Sequence, residues 1–210
     1  MDRSAIILSG GPSKKFGEDK GIMKFNGKPL LAHIVDAVIG LAEEVIVVTS
    51  SKERAHTYAT FVSPKVKFAV DVYGPKGALS GALTGFEAAL GSYSLLLPSD
   101  NPFVSKDVIT LLFECSINKA AAIPRWPNNQ IEPLHAVYKT RLALQAAKET
   151  LAQDELDLKE MVAKLHGVRY ISTLVIEQLD PDLRSFFNVN TLSDLKKAIA
   201  MSNSAKPMKR

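Results

Sequence analysis

The sequence predicts an α/β fold, a doubly wound, mostly parallel sheet flanked by helices. Two observations carry that expectation. Short apolar runs alternate with helically spaced apolar stripes through the first 125 residues, the order produced when crossover helices join parallel strands. Each unusual cluster of glycine, lysine or acid follows a strand-like run, and open α/β sheets bind ligands beyond the carboxyl ends of their strands. A chain of 210 residues, 46% hydrophobic and 23% charged, suits one domain with a sizeable core. We expect that domain over residues 1–200 and a flexible tail at 201–210.

The elements follow in order. Ala5–Leu8 is a short apolar run and reads as the first strand. Leu30, Leu31, Ile34, Val35, Val38 and Leu41 recur at the spacing of one helix face. Val45–Val48 is rich in β-branched residues and strand-like, and Ser51 is placed to cap a short helix behind it. Val66–Val70 reads as a strand, Leu79–Leu90 as a helix with small residues on one face, and Ser94–Leu97 as a strand. Ser105 caps a helix through Cys115, and a strand follows at Ala120–Ile123. The pattern then loosens. It predicts a strand at Pro133–Tyr138, helices at Thr140–Leu151 and Leu156–Leu165, an extended Phe186–Asn190, and a final helix from a Thr191 cap to about Ala200.

Composition removes several function classes. No apolar run approaches the roughly 20 residues that span a bilayer, and MDRSAIILSGG carries an early acid and no cleavage-site pattern, so no signal peptide is expected. Cys115 is the single cysteine; it offers no intrachain disulfide and no cysteine metal site, and a reduced, cytoplasmic setting is expected. The net charge of +4 either favours anionic small molecules or is neutral background. The lysines gather in one loop and in the tail without interleaved aromatics, which argues against a nucleic-acid partner.

That loop is Ser9–Lys20, SGGPSKKFGEDK. It is neither a Walker A loop nor GxGxxG. Gly10 and Gly11 let backbone approach a ligand closely, and successive N–H groups in such a turn make a concave anion site. Ser13, Lys14 and Lys15 add donors and charge, and Lys20 closes the loop behind Asp19. A phosphate chain is the natural guest; a solvated connector is the plainer alternative. Two acids stand at strand ends: Asp71 after VKFAV, and Asp100 in LLLPSDNPF. Either suits a hard divalent ion, and either suits an Asx turn or a helix cap.

These segments also carry a resemblance. LSGGPSKKFGEDKGIMKFNGKPLL resembles the signature LAGGxSxRMGxDKxLxxxxGxPLL of nucleotidyltransferases acting on the molybdenum cofactor, and within them the molybdenum cofactor guanylyltransferases. Asp71 after its strand, GALSGALTGFEAAL, PSDNPF and FNVNT match in the same order, so the resemblance covers residues 4 to 200. It implies a Rossmann-like nucleotidyltransferase fold and transfer of GMP from GTP to molybdopterin, with or without molybdenum, with release of pyrophosphate. It implies Mg²⁺ on Asp100, and Lys20 as the α-phosphate contact. Nucleotide contacts are implied at Leu8, Ser9, Gly10, Gly11 and Ser13, at Lys14 and Lys15 for the β- and γ-phosphates, and at Leu79 and Gly81, while Asp71 is implied to help hold the nucleotide ribose or the metal. EPLHAVY resembles the segment approaching the pterin, which brings in His135 and Arg125, with Trp126 either stacking there or covering the core edge. Asn188 and Asn190 of FNVNT offer amides to the same substrate or hold the entry turn of the last helix. Contact with other cofactor-biosynthesis proteins or with molybdoenzymes would follow from the same reading; no membrane partner does.

The chain departs from the signature at Ser9 for Ala, Lys15 for Arg, Phe16 for Met and Ala78 for Pro. Lys15 exchanges a bidentate grip on phosphate for a point charge. Gly10 follows the guanylyl pattern, where cytidylyltransferases of the group favour a second Ala. The rival readings are a cytidylyl transfer to molybdopterin, a guanylyl transfer to a cobinamide phosphate, and a nucleotide-binding domain without turnover. The second tends to carry Glu-Lys-Pro where this chain has Asp19-Lys20-Gly21.

Overall fold

The structure, a computed structural model, describes residues 2–10, 19–73 and 77–204. Nine strands and eight α-helices occur among these residues. Strand β1 (Arg3–Ser9) is an interior strand, followed by a small hairpin, β2 (Lys24–Phe25) and β3 (Lys28–Pro29), and by helix α1 (Leu30–Val38). The hairpin turns at Asn26 and Gly27, both at positive φ, the backbone that Asn-Gly favours. Next come β4 (Glu44–Thr49), α2 (Lys52–Ala59), β5 (Lys67–Val70), α3 (Ala78–Ala88), β6 (Tyr93–Pro98) and α4 (Lys106–Ser116). The second half holds β7 (Ala121–Arg125), β8 (Ala136–Lys139), α5 (Thr140–Leu151), α6 (Leu158–Ala163), β9 (Val168–Ser172), α7 (Thr173–Ile176) and α8 (Leu192–Ser204).

Seven strands form one sheet in the order β5-β4-β1-β6-β8-β7-β9. Only β8 runs against the others. Alternate residues of the central strands feed two cores, as the period of two requires. Ala5, Ile7, Val45, Val47, Leu95 and Leu97 pack under α1 and α4. Ile6, Ile46, Val48 and Leu96 pack under α3, α5 and α6. Burial on both faces explains why β1 and β4 read as unbroken apolar runs rather than alternating ones. A third, smaller cluster joins Met23, Phe25 and Leu30 to Val189 and Ala198, so the C-terminal segment folds back over the hairpin.

The doubly wound sheet is as expected, and caps form at Ser51 and Ser105, which accept from the N–H of Arg54 and Val108. The differences have local causes. Helix α1 stops at Val38 because Gly40 takes φ +88°. Strand β8 begins at Ala136 rather than Pro133: His135 N–H closes a turn on Glu132 O, and the Tyr138 hydroxyl donates to the Pro133 carbonyl. Helix α6 starts at Leu158 under an Asp157 cap. Edge strand β9 and helix α7 are additions, since VRYIS exposes Arg169 and Tyr170 and so lacks a clean apolar alternation. Residues 201–204, expected in the tail, continue helix α8.

Candidate active site

Strands β4 and β5 lie to one side of β1, and β6 lies to the other. The winding of the sheet therefore reverses between β1 and β6, the switch point at which open α/β sheets leave a crevice beyond their strand ends. A cleft of about 240 Å³ occupies that position. Its floor is Leu8, Ser9 and Gly10 at the end of β1, with Val48 and Thr49 of β4. Its walls are Asp71 beyond β5, Ala78 and Gly81 of α3, Ser99 and Asp100 beyond β6, and the turn Asp19–Gly21. Gly81 leaves room for Leu8: a Cβ there would sit 3.4 Å from Leu8 Cδ2.

Lys20 stands at the mouth. Its ammonium donates to Asp100 Oδ2 at 3.1 Å and to Asn190 Oδ1 at 2.7 Å. Residues 80 and 170 positions away in sequence thus meet one nitrogen. The loop beyond β6 and the segment before α8 are held together by Val189 N–H donating to Asp100 O at 2.8 Å. The other carboxylate oxygen of Asp100, Oδ1, is buried and has no hydrogen-bond partner among the described residues. A buried, unsatisfied anionic oxygen is costly, and it is the donor a cation would relieve.

Asp71 is held differently. Oδ2 accepts from the Ser80 hydroxyl at 2.9 Å, and Oδ1 accepts from Tyr73 N–H at 3.0 Å and the Thr84 hydroxyl at 3.2 Å. Ser80 Oγ also accepts from Gly77 N–H at 2.9 Å. This carboxylate lines the cleft while bracing the start of α3. No group of three or more His, Cys, Asp or Glu able to hold a metal occurs among the described residues. The donors present therefore fit an ion that draws most of its ligands from phosphate and water, which is the habit of magnesium.

A second hollow of about 360 Å³ adjoins the first, sharing Ala78 and Leu134. His135 and Asn188 line it, and His135 Nδ1 and Asn188 Oδ1 are both buried without a partner among the described residues. Asn101 Nδ2 lies 3.3 Å from His135 Nε2 and also donates to the Ser185 carbonyl. Nε2 thus accepts, which assigns the proton to Nδ1. Burial pushes the imidazole down to about 4, so the ring is neutral near pH 7.

Several expected contacts lie elsewhere. Leu79 is wholly buried in the core beside Ile6. It sits one helical step from the cleft-lining Ala78, and that rotation of about 100° turns its side chain inward. Arg125 lies over the Tyr170 ring, 4.9 Å from its centroid, in a separate groove with Asn128 and Lys159. Trp126 donates its indole N–H to Glu132 at 2.7 Å and meets Phe186 edge-on, so it braces the β7–β8 connection. Gly11, Ser13, Lys14 and Lys15 lie outside the described residues. Sequence reasoning missed Tyr58 and Arg54, which flank Asp19; a tyrosine on a short polar helix carries no signal of a buried hydroxyl.

Residues 5–168 match the MobA-like NTP transferase domain. The chain belongs to this family of nucleotidyltransferases. A curated member from Pyrococcus horikoshii, a probable molybdenum cofactor guanylyltransferase, is 34% identical over 204 residues, covering 93% of this chain and 98% of its own. Among solved structures, the molybdopterin-guanine dinucleotide biosynthesis protein A of Archaeoglobus fulgidus superposes with a TM-score of 0.82 at 22% identity, covering 95% and 98% of the two chains. The 2-C-methyl-D-erythritol 4-phosphate cytidylyltransferase of Thermus thermophilus shares the fold at a TM-score of 0.70 and 17% identity, over 97% and 100%. The same architecture is thus shared by proteins named for different nucleotides and acceptors.

Proposed function

We infer that this protein transfers GMP from GTP to the terminal phosphate of molybdopterin, with or without molybdenum, and releases pyrophosphate. The observation that carries the reading is the convergence of Lys20, Asp100 and Asn190 on one point of the switch-point cleft, in a family whose curated members bear the guanylyltransferase name. An acceptor phosphate oxygen forms the new bond to the α-phosphorus. The bond from that phosphorus to the bridging oxygen breaks, and pyrophosphate leaves.

Such a step needs alignment and positive charge near the phosphoryl oxygens rather than covalent help. Lys20 supplies that charge at the α-phosphate. Gly10, with Gly11, Ser13, Lys14 and Lys15 beyond it, receives the β- and γ-phosphates. Mg²⁺, when bound, would be held by Asp100 and would neutralise phosphate charge. Asp71 keeps α3 in register, which places Ala78 and Gly81 against the nucleoside. The second hollow, with His135 Nδ1–H as donor and Asn188 Oδ1 as acceptor, suits the heteroatom edge of a pterin. The test is a panel of nucleoside triphosphates with Mg²⁺ and molybdopterin, read by pyrophosphate release and product mass. GTP alone should give the dinucleotide. Product from CTP would move the assignment to cytidylyl transfer, and binding without pyrophosphate from any triphosphate would leave only a nucleotide-binding domain.

A further inference from the structure

Lys20 rides on a turn with little cohesion of its own. The 3-10 segment Lys20–Ile22 is closed by Ile22 N–H to Asp19 O at 3.3 Å and Met23 N–H to Lys20 O at 3.2 Å, and a single turn of that kind does not persist unaided. The Asp19 carboxylate holds it. Oδ1 accepts from Gly21 N–H at 2.9 Å, and the Tyr58 hydroxyl lies 2.7 Å from each oxygen. Arg54 Nε approaches Oδ2 at 3.3 Å.

Tyr58 in turn is packed on all sides. It projects from α2 into the core, is fully buried, and meets Phe61 edge-on with ring centroids 5.8 Å apart. Its oxygen also accepts from the Ser9 hydroxyl at 3.1 Å, so one atom ties the end of β1 to the turn that carries Lys20. The Gly21 backbone rests directly on the phenol: a Cβ there would come within 2.7 Å of the Tyr58 oxygen. Burial pushes the phenol well above its ordinary range, so it remains a donor wherever the protein is folded. The ring does not line the cleft, and hydrophobic packing alone would be met by phenylalanine. The hydroxyl is the part that packing leaves unexplained.

We propose that Tyr58 is a positioning residue for nucleotidyl transfer: its buried hydroxyl clamps the Asp19 carboxylate, and through Asp19 and Gly21 it sets the Lys20 ammonium against Asp100. The inference rests on the assignment of Lys20 above. Tyr58→Phe keeps the ring and removes only the oxygen. Misplacement of a reacting group by about an ångström costs on the order of a hundredfold in rate. We therefore expect kcat for pyrophosphate release from GTP and molybdopterin to fall about ten- to a hundredfold, with KM for GTP changed less than about threefold.

Two further measurements separate this clamp from ordinary stabilisation. Amide hydrogen exchange should quicken at Gly21–Met23 in Tyr58→Phe while the central strands stay protected. In a Lys20→Ala background, Tyr58→Phe should cost nothing more, since residues acting as a unit are not additive. Unchanged exchange at Gly21–Met23 overturns the proposal whatever the activity. So does a normal kcat in Tyr58→Phe, or an undiminished loss in the Lys20→Ala background. A normal rate in Lys20→Ala alone marks the separate failure of the assignment of Lys20.

Discussion

At the scale of single residues, the molecule leaves three buried polar atoms of the two hollows without partners among the described residues: Asp100 Oδ1, His135 Nδ1 and Asn188 Oδ1. Groups of this kind are normally paired. All three belong to residues that line the two adjoining hollows. His135 gives a direct test of its environment. Its folded pKa of about 4 lies below the ordinary 6.5, so the unfolded chain binds the extra proton as pH falls. Stability from the neutral ring is present above pH 6.5 and is lost as pH drops from 6.5 towards 4, by roughly 3 kcal/mol at most. Urea unfolding of the protein and of His135→Gln at pH 7, 6 and 5 should show a shallower slope with pH in the variant. Parallel slopes would mean that the imidazole is not buried uncharged.

At the scale of elements, helix α3 shows how small residues set a site. Gly81 admits Leu8, and Gly85 lies against β1 so closely that a Cβ would collide with Ile6 Cγ2 and reach within 3.3 Å of Val48 Cγ2. Ile6 is fully buried and has no room to yield. Alanine gains about 1 kcal/mol over glycine in helix propensity, whereas overpacking a close-packed core costs roughly 1–3 kcal/mol. So close an approach puts the overpacking towards the upper end of that range and the collision wins, so Gly85→Ala should lower the urea midpoint, by up to about 2 kcal/mol of stability. Gly77→Ala, at the extended N-cap where a Cβ meets nothing among the described residues, should lower the midpoint less, by about 0.5 kcal/mol from the poorer cap that alanine makes. Equal midpoints for the two variants would show that α3 is not pressed on β1.

At the scale of the whole molecule, the cleft belongs to no single element. It is assembled from β1, β4, the exits of β5 and β6, the start of α3 and the Asp19–Gly21 turn, with Asn190 of the C-terminal segment holding Lys20. Binding there should raise the stability of all of them together. At a hundredfold excess of GTP over its Kd with Mg²⁺ present, ligand linkage contributes about 2.7 kcal/mol. For a chain of this size that is roughly 5–10 °C in Tm. Thermal scans should show this rise, and Asp100→Asn should remove its dependence on Mg²⁺. An equal rise in EDTA would remove Asp100 from metal binding. No helix among the described residues is long and apolar enough to cross a membrane.

Much of this was legible in the chain. Periodicity placed the central strands and most helices, because strands buried on both faces and amphipathic helices write their environment into local composition. The order of motifs placed Asp71 and Asp100 at strand ends and Lys20 at the close of the glycine-bearing loop. Side-chain direction was less readable. Leu79 and Ala78 are neighbours in sequence yet turn to core and cleft, Arg125 leaves for another groove, and edge strand β9 with its exposed Tyr170 has no pattern to betray it.

The sequence by itself determined the fold class, the place of the glycine pair behind the first strand and which ionisable groups were available to a phosphate. Only the tertiary structure decided which of them meet. Lys20 joins Asn190 across 170 residues, and Tyr58 reaches Asp19 across 39. Contacts of that kind depend on how the sheet is wound and how the last helix folds back, and hydrogen bonds over such separations leave no local trace in the residues that make them.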